Sequence, residues 1–375
     1  MRIAIVGPTF PYKGGGAHHT TELAHRLAAA GHDVTLESWE TQYPSFAYPG
    51  RLVISEPEGE PFPRTRWELA WYNPVGWVSA GRRFRSYDLV VLTVLTPLQV
   101  PAYLGILSGL RRRTRTVALC HNVLPHERRP YDAPLMRTLL RRVDQILVHS
   151  AEQAAAAGTM TTKPIRVAGL PPHLPAKRGE AERSAERRGR LLFFGIVRPY
   201  KGLDVLLRAL ATGPPDIGLT VAGEFWGGLD DTRRLVADLG LTDRVEIRPG
   251  YVPAAEIPTL FEQADALVLP YRSATASQNV ALAFEQGVPV IATTTGALAQ
   301  HVRDGVNGLL CEPGDVGSLA DALKRFYADD EPARLRAGVQ AVDPGPAWAG
   351  YLDELLAGCG LSVPSRGPTS CRSDA

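Results

Sequence analysis

The sequence predicts an α/β protein made of two doubly wound parallel sheets that face one another across a cleft. Short apolar strands alternate with amphipathic helices through the first half of the chain, and the alternation starts again near residue 190. Between the two series lies a charged stretch, residues 174–190, with almost no apolar side chains. The chain has 375 residues, which is long for one hydrophobic core and suits two domains.

The first series of elements predicts a domain over residues 1–175. Its opening strand, residues 2–7, is a continuous apolar run, as expected for a central parallel strand buried on both faces. The first helix has apolar residues at helical spacing and ends at Gly31. The other strands are expected at residues 32–38, 89–94, 116–122 and 145–150, and the other helices at 102–110 and 135–143.

The second series predicts a domain over residues 191–345, joined to the first by a linker at 176–190. Its strands are expected at residues 191–197, 219–223, 245–250, 266–270 and 289–293, and its helices at 203–210, 233–239, 257–263 and 280–286. A helix at 346–358 is expected to pack back on the first domain, and the polar tail at 364–375 is expected to be disordered. Because such sheets bind ligands at the carboxyl ends of their strands, we expect the substrate site between the domains.

One segment, residues 89–110, has the length of a membrane span. Pro97 and Pro101 interrupt it, and Thr and Gln are interspersed. A buried strand, a loop and a buried helix are therefore the favoured interpretation.

The charge balance argues against a nucleic-acid binder. Lys and Arg number 41 and Asp and Glu number 39, a net charge of +2. Four cysteines show neither metal-ligand spacing nor the density of a disulfide framework, which predicts free thiols in a reducing cytosol. The first residues do not have the layout of a signal peptide, so a cytoplasmic location is expected.

Two strand-to-helix turns are candidate anion sites. After the first strand, Gly14, Gly15 and Gly16 leave backbone N–H groups open to an anion, although glycine runs are weak indicators by themselves. No G-x-G-x-x-G pattern is present there, so a nicotinamide cofactor is not indicated. In the second domain, Arg198 and Lys201 follow a strand directly, which suits a diphosphate, although the pair taken by itself is more simply explained as a solvated basic turn.

Three histidines and one asparagine are candidates for polar contacts in the cleft. His121 and Asn122 end a strand of the first domain, where site residues of α/β proteins lie, although a lone His is more often structural. His18 and His19 open the first helix and are either cleft contacts or ordinary residues of the helix N-terminus.

Taken together, these motifs resemble the retaining glycosyltransferases of family 4, which have the GT-B fold. The resemblance covers nearly the whole chain in the family's order, and it includes "HTTELAHRLAAAGHDVTL", "RPYKGLDVLLRAL", "LTVAGE" and "GVPVIATTTGALAQHVRDGVNGLLCEPGD". It implies transfer of a sugar from a nucleotide diphosphate with retention at the anomeric carbon. It also implies no metal and no cofactor, because protein cations and helix N-termini hold the leaving diphosphate.

The resemblance also implies roles for particular residues. Arg198 and Lys201 match the cationic pair on the diphosphate, and His121 matches a histidine that contacts the transferred sugar. The donor phosphates are expected near Gly15, Gly16, Ser277, Gln278, Asn279 and Val280. Tyr251 and Val252 match the segment whose backbone reads the base, and His18, His19 and Asn122 are expected at the acceptor or the sugar.

The sequence departs from the family at a pair of glutamates. Counting back from Gly287 places Leu282 and Ala274 at the two positions, so both carboxylates are missing. Glu285, one helical turn beyond Leu282, either reaches the ribose or stabilises its helix. Losing one buried hydrogen bond costs about 0.5–1.5 kcal/mol, which weakens donor binding without abolishing it.

The sequence thus predicts a hexosyltransferase-type enzyme that acts on a glycan, a lipid-linked or a small-molecule acceptor, in synthesis of a bacterial polysaccharide. A GT-B epimerase or phosphorylase is the nearest enzymatic rival, and the phosphorylase would need a cofactor lysine for which no motif is found. The missing glutamates also keep open a non-catalytic, nucleotide-binding partner of another transferase. Arginine clusters at residues 82–85 and 111–115, with aromatic residues at 67–77, suggest either peripheral contact with an anionic inner membrane face or a solvated surface and a core.

Overall fold

The computed structural model describes residues 1–44, 52–125, 127–173, 189–274, 277–296 and 298–357. The predicted α/β class with two parallel, doubly wound sheets is confirmed. The predicted linker at 176–190 falls almost wholly outside the described residues, and the predicted tail at 364–375 lies outside them.

The first sheet has seven strands in the order β3-β2-β1-β4-β5-β6-β7, all parallel. These strands are β1 Arg2–Val6, β2 Asp33–Thr41, β3 Thr65–Ala70, β4 Leu89–Val94, β5 Arg115–Cys120, β6 Gln145–Val148 and β7 Ile165–Val167. The helices that connect them are α1 Gly15–Ala29, α2 Pro74–Arg83, α3 Val100–Gly109, α4 Asp132–Leu140 and α5 Ala151–Gly158. The strand order reverses between β1 and β4, and the reversal opens a crevice at their carboxyl ends.

The second sheet has six strands in the order β10-β9-β8-β11-β12-β13, with its reversal between β8 and β11. Its strands are β8 Arg190–Phe194, β9 Gly218–Gly223, β10 Val245–Pro249, β11 Ala266–Leu269, β12 Val290–Thr293 and β13 Gly308–Cys311. The helices are α6 Leu203–Thr212, α7 Leu229–Asp238, α8 Ile257–Glu262, α9 Gln278–Glu285, α10 Leu298–His301, α11 Val316–Phe326 and α12 Glu331–Ala337.

The apolar strands are buried on both faces, as the continuous runs predict. In β1, Ile3 and Ile5 pack on one side against helix α1, while Ala4 and Val6 pack on the other side of the sheet. Helix α13 (Pro344–Leu356) follows the second sheet in sequence, yet its side chains share the cluster of Ile3 and Ile5. The chain therefore returns to the first sheet after completing the second.

The segment with the length of a membrane span divides into two buried elements, as favoured above. Its strand is β4, and its helix is α3, which begins at Val100 after a short turn that opens at Pro97. Among the residues that the structure describes, no helix is both long enough and apolar enough to cross a membrane.

Candidate active site

A cavity of about 650 Å³ lies between the carboxyl edges of the two sheets. Its wall on the first sheet includes Gly14, Gly15, Gly16, Leu95, Thr96, His121 and Asn122, which follow β1, β4 and β5. Its wall on the second sheet includes Gly195, Glu224, Tyr251 and Tyr271, which follow β8, β9, β10 and β11. The cavity thus lies where strand topology leads one to expect a ligand.

Two cations line the cavity in the turn between β8 and α6. Lys201 ends a short 3-10 turn, is partly buried, and holds its Nζ 5.3 Å from the centre of the Tyr271 ring. Burial lowers the pKa of Lys201, with the neighbouring Tyr200 opposing the shift. The Arg198 guanidinium lies 4.8 Å from the centre of the Trp226 ring, and its Nη2 is 2.5 Å from Glu127 Oε2. The turn therefore presents two positive charges to the cleft.

The N-terminus of α9 faces the same place. The Ser277 hydroxyl caps this helix by accepting from the backbone N–H of Asn279 at 3.3 Å. The Asn279 amide donates to the Phe194 carbonyl at 3.0 Å, next to Gly195. Gly195 has a φ of +100°, and a Cβ there would lie 3.5 Å from Asn279 Nδ2 and 3.6 Å from Lys201 Nζ. A glycine leaves this approach open, so the helix start and the lysine border one space.

The four predicted residues at this helix start have different surroundings. Ser277, Gln278 and Asn279 line the cavity, whereas Val280 is buried in the core of the second domain. The Gln278 side chain is occupied by the segment that leaves the first domain: its Oε1 accepts from the His173 N–H at 3.3 Å, and its Nε2 donates to the Leu170 carbonyl at 3.3 Å.

In the first domain, the glycine loop and one of the two adjacent histidines, His18, line the cavity. Gly15, Gly16 and His18 line it, and a Cβ on Gly16 would lie 2.7 Å from a Leu95 methyl group. His18 Nε2 is 2.9 Å from Glu58 Oε2. Helix α1 therefore begins in close contact with the loop after β4.

His19 does not line the cavity, although it was expected at the acceptor or the sugar. It is 0% exposed, and its ring lies 4.8 Å from that of His121, which does line the cavity. The reason is helix phase: residues 19, 23 and 27 recur every four positions, and Leu23 and Leu27 are core residues. The four-residue spacing from His19 to these leucines is visible in the sequence and places His19, but not His18, on the buried face of the helix.

His121 and Asn122 line the cavity at the end of β5, as predicted by the strand-end position. Burial lowers the pKa of His121 well below its usual value, and the nearby His149 and His173 lower it further. The imidazole is therefore neutral at physiological pH and offers one hydrogen-bond donor and one acceptor.

The predicted base and ribose residues separate into two groups. Tyr251 and Val252 line the cavity, and the Tyr251 hydroxyl donates a hydrogen bond to Glu58. Glu285 is not among the lining residues. It is the last residue of α9, roughly 10 Å along the helix axis from the N-terminus that faces the cleft.

The positions of the two missing glutamates are filled without carboxylates. Ala274 lines the cavity, and its carbonyl oxygen packs against Gly296. A Cβ added to Gly296 would lie 1.8 Å from that oxygen. Leu282 is 2% exposed and belongs to the core of the second domain. Within the described ranges, the carboxylates that line the cavity are Glu58, Glu127, Asp132 and Glu224.

Several residues that line the cavity were not predicted from the sequence. Lys13 and Glu224 form an ion pair across the cleft at 2.8 Å, with side chains 3% and 13% exposed. Glu58, also from the first domain, accepts from the backbone N–H of Ala254 in the second, at 3.0 Å. The strand-end rule would have found Glu224, which follows β9, but no sequence signal marks Glu58, which lies in a loop.

The described residues contain no group of three or more His, Cys, Asp or Glu side chains arranged to hold a metal ion. This finding concerns side-chain arrangement alone, and metal independence stays a prediction.

Two doubly wound parallel sheets with a cleft between their carboxyl edges form the GT-B fold. Solved structures share the fold: sucrose-phosphate synthase from Thermosynechococcus elongatus has a TM-score of 0.75 at 20% identity, covering 95% of this chain and 98% of that one. Anabaena HepE in complex with UDP-glucose has a TM-score of 0.69 at 18% identity, covering 95% of this chain and 100% of that one.

The family model for Glycosyltransferase Family 4 matches residues 13–171, and that for Glycosyl transferases group 1 matches residues 188–329. The two models together match most of the chain, and the chain belongs to the family 4 glycosyltransferases. The resemblance described from the sequence is thereby confirmed.

Curated relatives agree with this assignment over part of their length. A D-inositol 3-phosphate glycosyltransferase of Mycolicibacterium vanbaalenii is 34% identical over 184 residues, which is 46% of this chain and 40% of that protein. One from Catenulispora acidiphila is 33% identical over 181 residues, 44% of this chain and 43% of that protein. One from Streptomyces scabiei is 28% identical over 377 residues, 89% of this chain and 83% of that protein. The first two matches thus span less than half of the relatives' length.

Proposed function

We propose that this protein transfers a hexosyl group from a nucleotide diphosphate sugar to a hydroxyl acceptor. The observation that carries the proposal is the convergence of Arg198, Lys201 and the N-terminus of α9 on one side of the cleft, opposite His121. A diphosphate is the ligand whose charge and oxygen atoms match two cations and a helix start.

The leaving diphosphate explains why cations are needed here. Negative charge grows on the diphosphate as its bond to the sugar breaks, and fixed cations and helix N–H groups stabilise this charge. Lys201 supplies a point charge and Arg198 a planar fork of donors. With these groups in place the proposed reaction needs no metal ion, and we propose that it proceeds without one.

His121 is proposed to contact the transferred sugar. A neutral imidazole at the end of β5 can donate to or accept from a sugar hydroxyl while carrying no charge of its own. In a retaining reaction the acceptor hydroxyl approaches the anomeric carbon from the face that the diphosphate leaves. Retention is testable by proton NMR of the product, and the opposite anomer would refute it.

The acceptor is proposed to bind over the first sheet. Thr96, Leu98, Arg129 and Tyr131 line that part of the cavity, a mixture of hydroxyl, apolar, cationic and aromatic groups. Such a wall suits a sugar, a lipid-linked glycan or a small polyol. Because curated relatives carry the name D-inositol 3-phosphate glycosyltransferase, an inositol phosphate belongs among the first acceptors to test.

The test begins with thermal shift in UDP, GDP, ADP and dTDP, with and without a chelator. UDP heads the panel because Anabaena HepE has been solved with UDP and with UDP-glucose. A ligand at a hundred times its Kd stabilises by about 2.7 kcal/mol, a shift that is easily measured. A chelator-insensitive shift followed by donor hydrolysis or transfer supports the proposal. Binding without turnover would favour the non-catalytic partner, and no binding at all would refute the donor site.

A cytoplasmic location with peripheral contact at an anionic membrane is also proposed. Trp67, Trp71, Tyr72 and Val75 are exposed large apolar residues along β3 and the start of α2. Within the arginine cluster at 82–85, Arg83 pairs with Glu37 at 2.7 Å and Arg85 donates to Gly109 at 2.8 Å, so the fold itself uses two of these charges. Failure to sediment with anionic vesicles at low salt would remove this part of the proposal.

A further inference from the structure

Four imidazole rings form a cluster at the cleft wall, in which three rings are buried and that of His121 is half-buried. They come from four separate elements: His19 from α1, His121 from the end of β5, His149 from the end of β6, and His173 from the segment after β7. The His19 ring lies 4.8 Å from His121, 5.0 Å from His173 and 6.0 Å from His149, and His121 lies 5.1 Å from His149. His121 and His173 also line the cavity, whereas His19 and His149 do not.

Two aromatic rings of α13 close the cluster. Trp348 stacks on His19 with ring centres 5.5 Å apart and donates its Nε1–H to the Pro172 carbonyl at 2.9 Å. Tyr351 stacks on His149 at 5.8 Å and meets His19 edge-on at 5.3 Å. The helix that returns from the second domain therefore touches the rings directly behind His121.

Five polar atoms in this cluster are buried without a protein partner among the described residues. They are Nδ1 and Nε2 of His19, Nε2 of His121, Nε2 of His149 and the hydroxyl of Tyr351. By contrast, His149 Nδ1 and His173 Nδ1 reach the carbonyls of Ala168 and Pro171, at 3.2 and 2.8 Å. Backbone bonds thus orient these two rings, while the unpaired nitrogens of His121 and His149 belong to rings that touch one another.

These five atoms make no hydrogen bond with one another, so an intermediary is needed to pair them. Burial lowers the pKa of His149 to about 4 and that of His173 to about 3, so the rings are neutral at physiological pH. A neutral imidazole has one donor and one acceptor, and a phenol has both, which is the set of groups that a buried water molecule bonds. Buried polar atoms are paired with protein or with ordered water in the great majority of cases.

We propose that His19, His149 and Tyr351 are positioning residues for His121, which they hold at its Nε2 through water bound among the rings. The proposal rests on the function proposed above, in which His121 contacts the sugar. Fixing Nε2 from behind decides which ring nitrogen carries the proton and which hydrogen bond His121 offers to a sugar hydroxyl. The ring contacts fix the orientation of the imidazole plane.

Helix α13 is therefore part of the reaction's support. Its Tyr351 hydroxyl completes the water-bound network, and its Trp348 holds the plane of His19. A merely structural helix would contribute packing to the first domain but would leave the protonated nitrogen of His121 unchanged.

The test measures the His121 imidazole in ¹⁵N-histidine-labelled protein, with its resonances assigned by His121→Asn. Tyr351→Phe removes one oxygen atom, and His19→Leu removes both unpaired nitrogens, whereas His19→Gln keeps an amide in a similar volume. Tyr103→Phe is the matched control, because Tyr103 is also buried in the first domain and its hydroxyl donates to the Thr93 carbonyl, outside the cluster.

We expect the ring-nitrogen shifts of His121 to move from one tautomer toward a mixture in Tyr351→Phe and His19→Leu, and to stay at wild-type values in Tyr103→Phe. In the transfer assay we expect kcat to fall roughly fivefold in both cluster variants, with the Kd for the nucleoside diphosphate unchanged and partial recovery in His19→Gln. Because both nitrogens of His19 lack protein partners, His19→Leu should still fold.

An unchanged His121 tautomer in both cluster variants would overturn the proposal, as would an unchanged kcat. A stoichiometric metal ion that leaves with His19→Leu would also overturn it, since metal rather than water would then join the rings. The NMR measurement needs no substrate, so failure of the proposed transferase activity would be seen separately, as absence of turnover in the wild type.

Discussion

Replacing Lys201 by Met is expected to change ligand binding and intrinsic stability in opposite directions. Burial lowers the pKa of Lys201, so at pH 7 the folded protein holds the ammonium less favourably than the unfolded chain does. Met keeps the length of the side chain and removes the charge. The ligand-free variant should therefore unfold at the same temperature as the wild type or at a higher one.

Binding of the nucleoside diphosphate should weaken in the same variant. A hydrogen bond to a charged group contributes about 1.5–3 kcal/mol, which corresponds to roughly 12-fold to 150-fold in Kd. For a 30-fold loss, ligand at a hundred times the wild-type Kd would stabilise the variant by about 0.9 kcal/mol instead of about 2.7 kcal/mol.

Calorimetry and thermal shift on the same samples measure both quantities. Lys324→Met is the matched control, because Lys324 is an exposed lysine on α11 in the same domain. Unchanged UDP affinity in Lys201→Met would refute the diphosphate assignment. A lower unfolding temperature without ligand would instead mean that the lysine is structural.

Three further predictions concern the cleft and its support. Gly195→Ala should lower the free energy of unfolding by about 1–3 kcal/mol, because alanine is strained at the positive φ of this position. UDP affinity should also fall, because the added methyl group borders Lys201 and Asn279. Urea titration measures the stability, and calorimetry measures the affinity. Lys13→Met and Glu224→Gln should each weaken the contact between the two domains and lower the free energy of unfolding. The coupling energy between them should be about 0.5–3 kcal/mol in a double-mutant cycle measured by urea unfolding. Acidification from pH 6.5 toward pH 4 should lower the free energy of unfolding, because the unfolded chain takes up protons that the buried rings of His149 and His173 do not. Each ring should contribute a slope of up to about 1.4 kcal/mol per pH unit, and urea titrations across this pH range measure that slope.

Each of these has a control in the same chain. Gly314 also has a positive φ, of +75°, but no atom lies within 4 Å of a Cβ added there. An equal loss of UDP binding in Gly314→Ala would therefore contradict the reasoning for Gly195. Lys324 and Asp321 form an exposed pair whose coupling should be near zero, and an equal coupling would remove the argument from burial. An acid slope that survives His149→Asn undiminished would contradict the role assigned to that ring.

Strand ends could be read from the sequence because topology dictates what they face. His121 and Arg198 each follow a continuous apolar run, and a parallel sheet brings the carboxyl ends of such runs to one edge. The two sheets meet at these edges, so the residues line one cavity although 77 positions separate them in the chain.

Element boundaries and edge elements were harder to predict. Helix α9 begins at Gln278, two positions before the prediction, because the Ser277 hydroxyl caps it. Helix α7 begins at Leu229, four positions before the prediction, with Asp230 and Asp231 in its first turn. Strand β3 was not predicted, since its residues show no clean alternation: it is an edge strand that leaves Trp67 and its neighbours exposed.

Contacts between the domains could not be read from local patterns. Glu58 acts on Tyr251 and Ala254, residues almost two hundred positions away, and its own loop has no helical or strand periodicity. Lys13 became part of the cleft only because Glu224 follows the facing strand of the other sheet. Such pairs depend on how two finished domains meet, which no single segment encodes.

The return of α13 to the first sheet has a consequence for synthesis on the ribosome. Gln145 of β6 donates to the Glu354 and Leu355 carbonyls of this helix. Trp348 of the same helix packs in one cluster with Ile3, near the N-terminus of the chain. The ribosome therefore delivers every strand of the second sheet before the core of the first can close. Domains usually complete folding in the order in which they are made. Here the domain that is translated later can reach its final packing earlier. The domain that is translated first keeps part of an apolar face uncovered beside α1 until α13 is made.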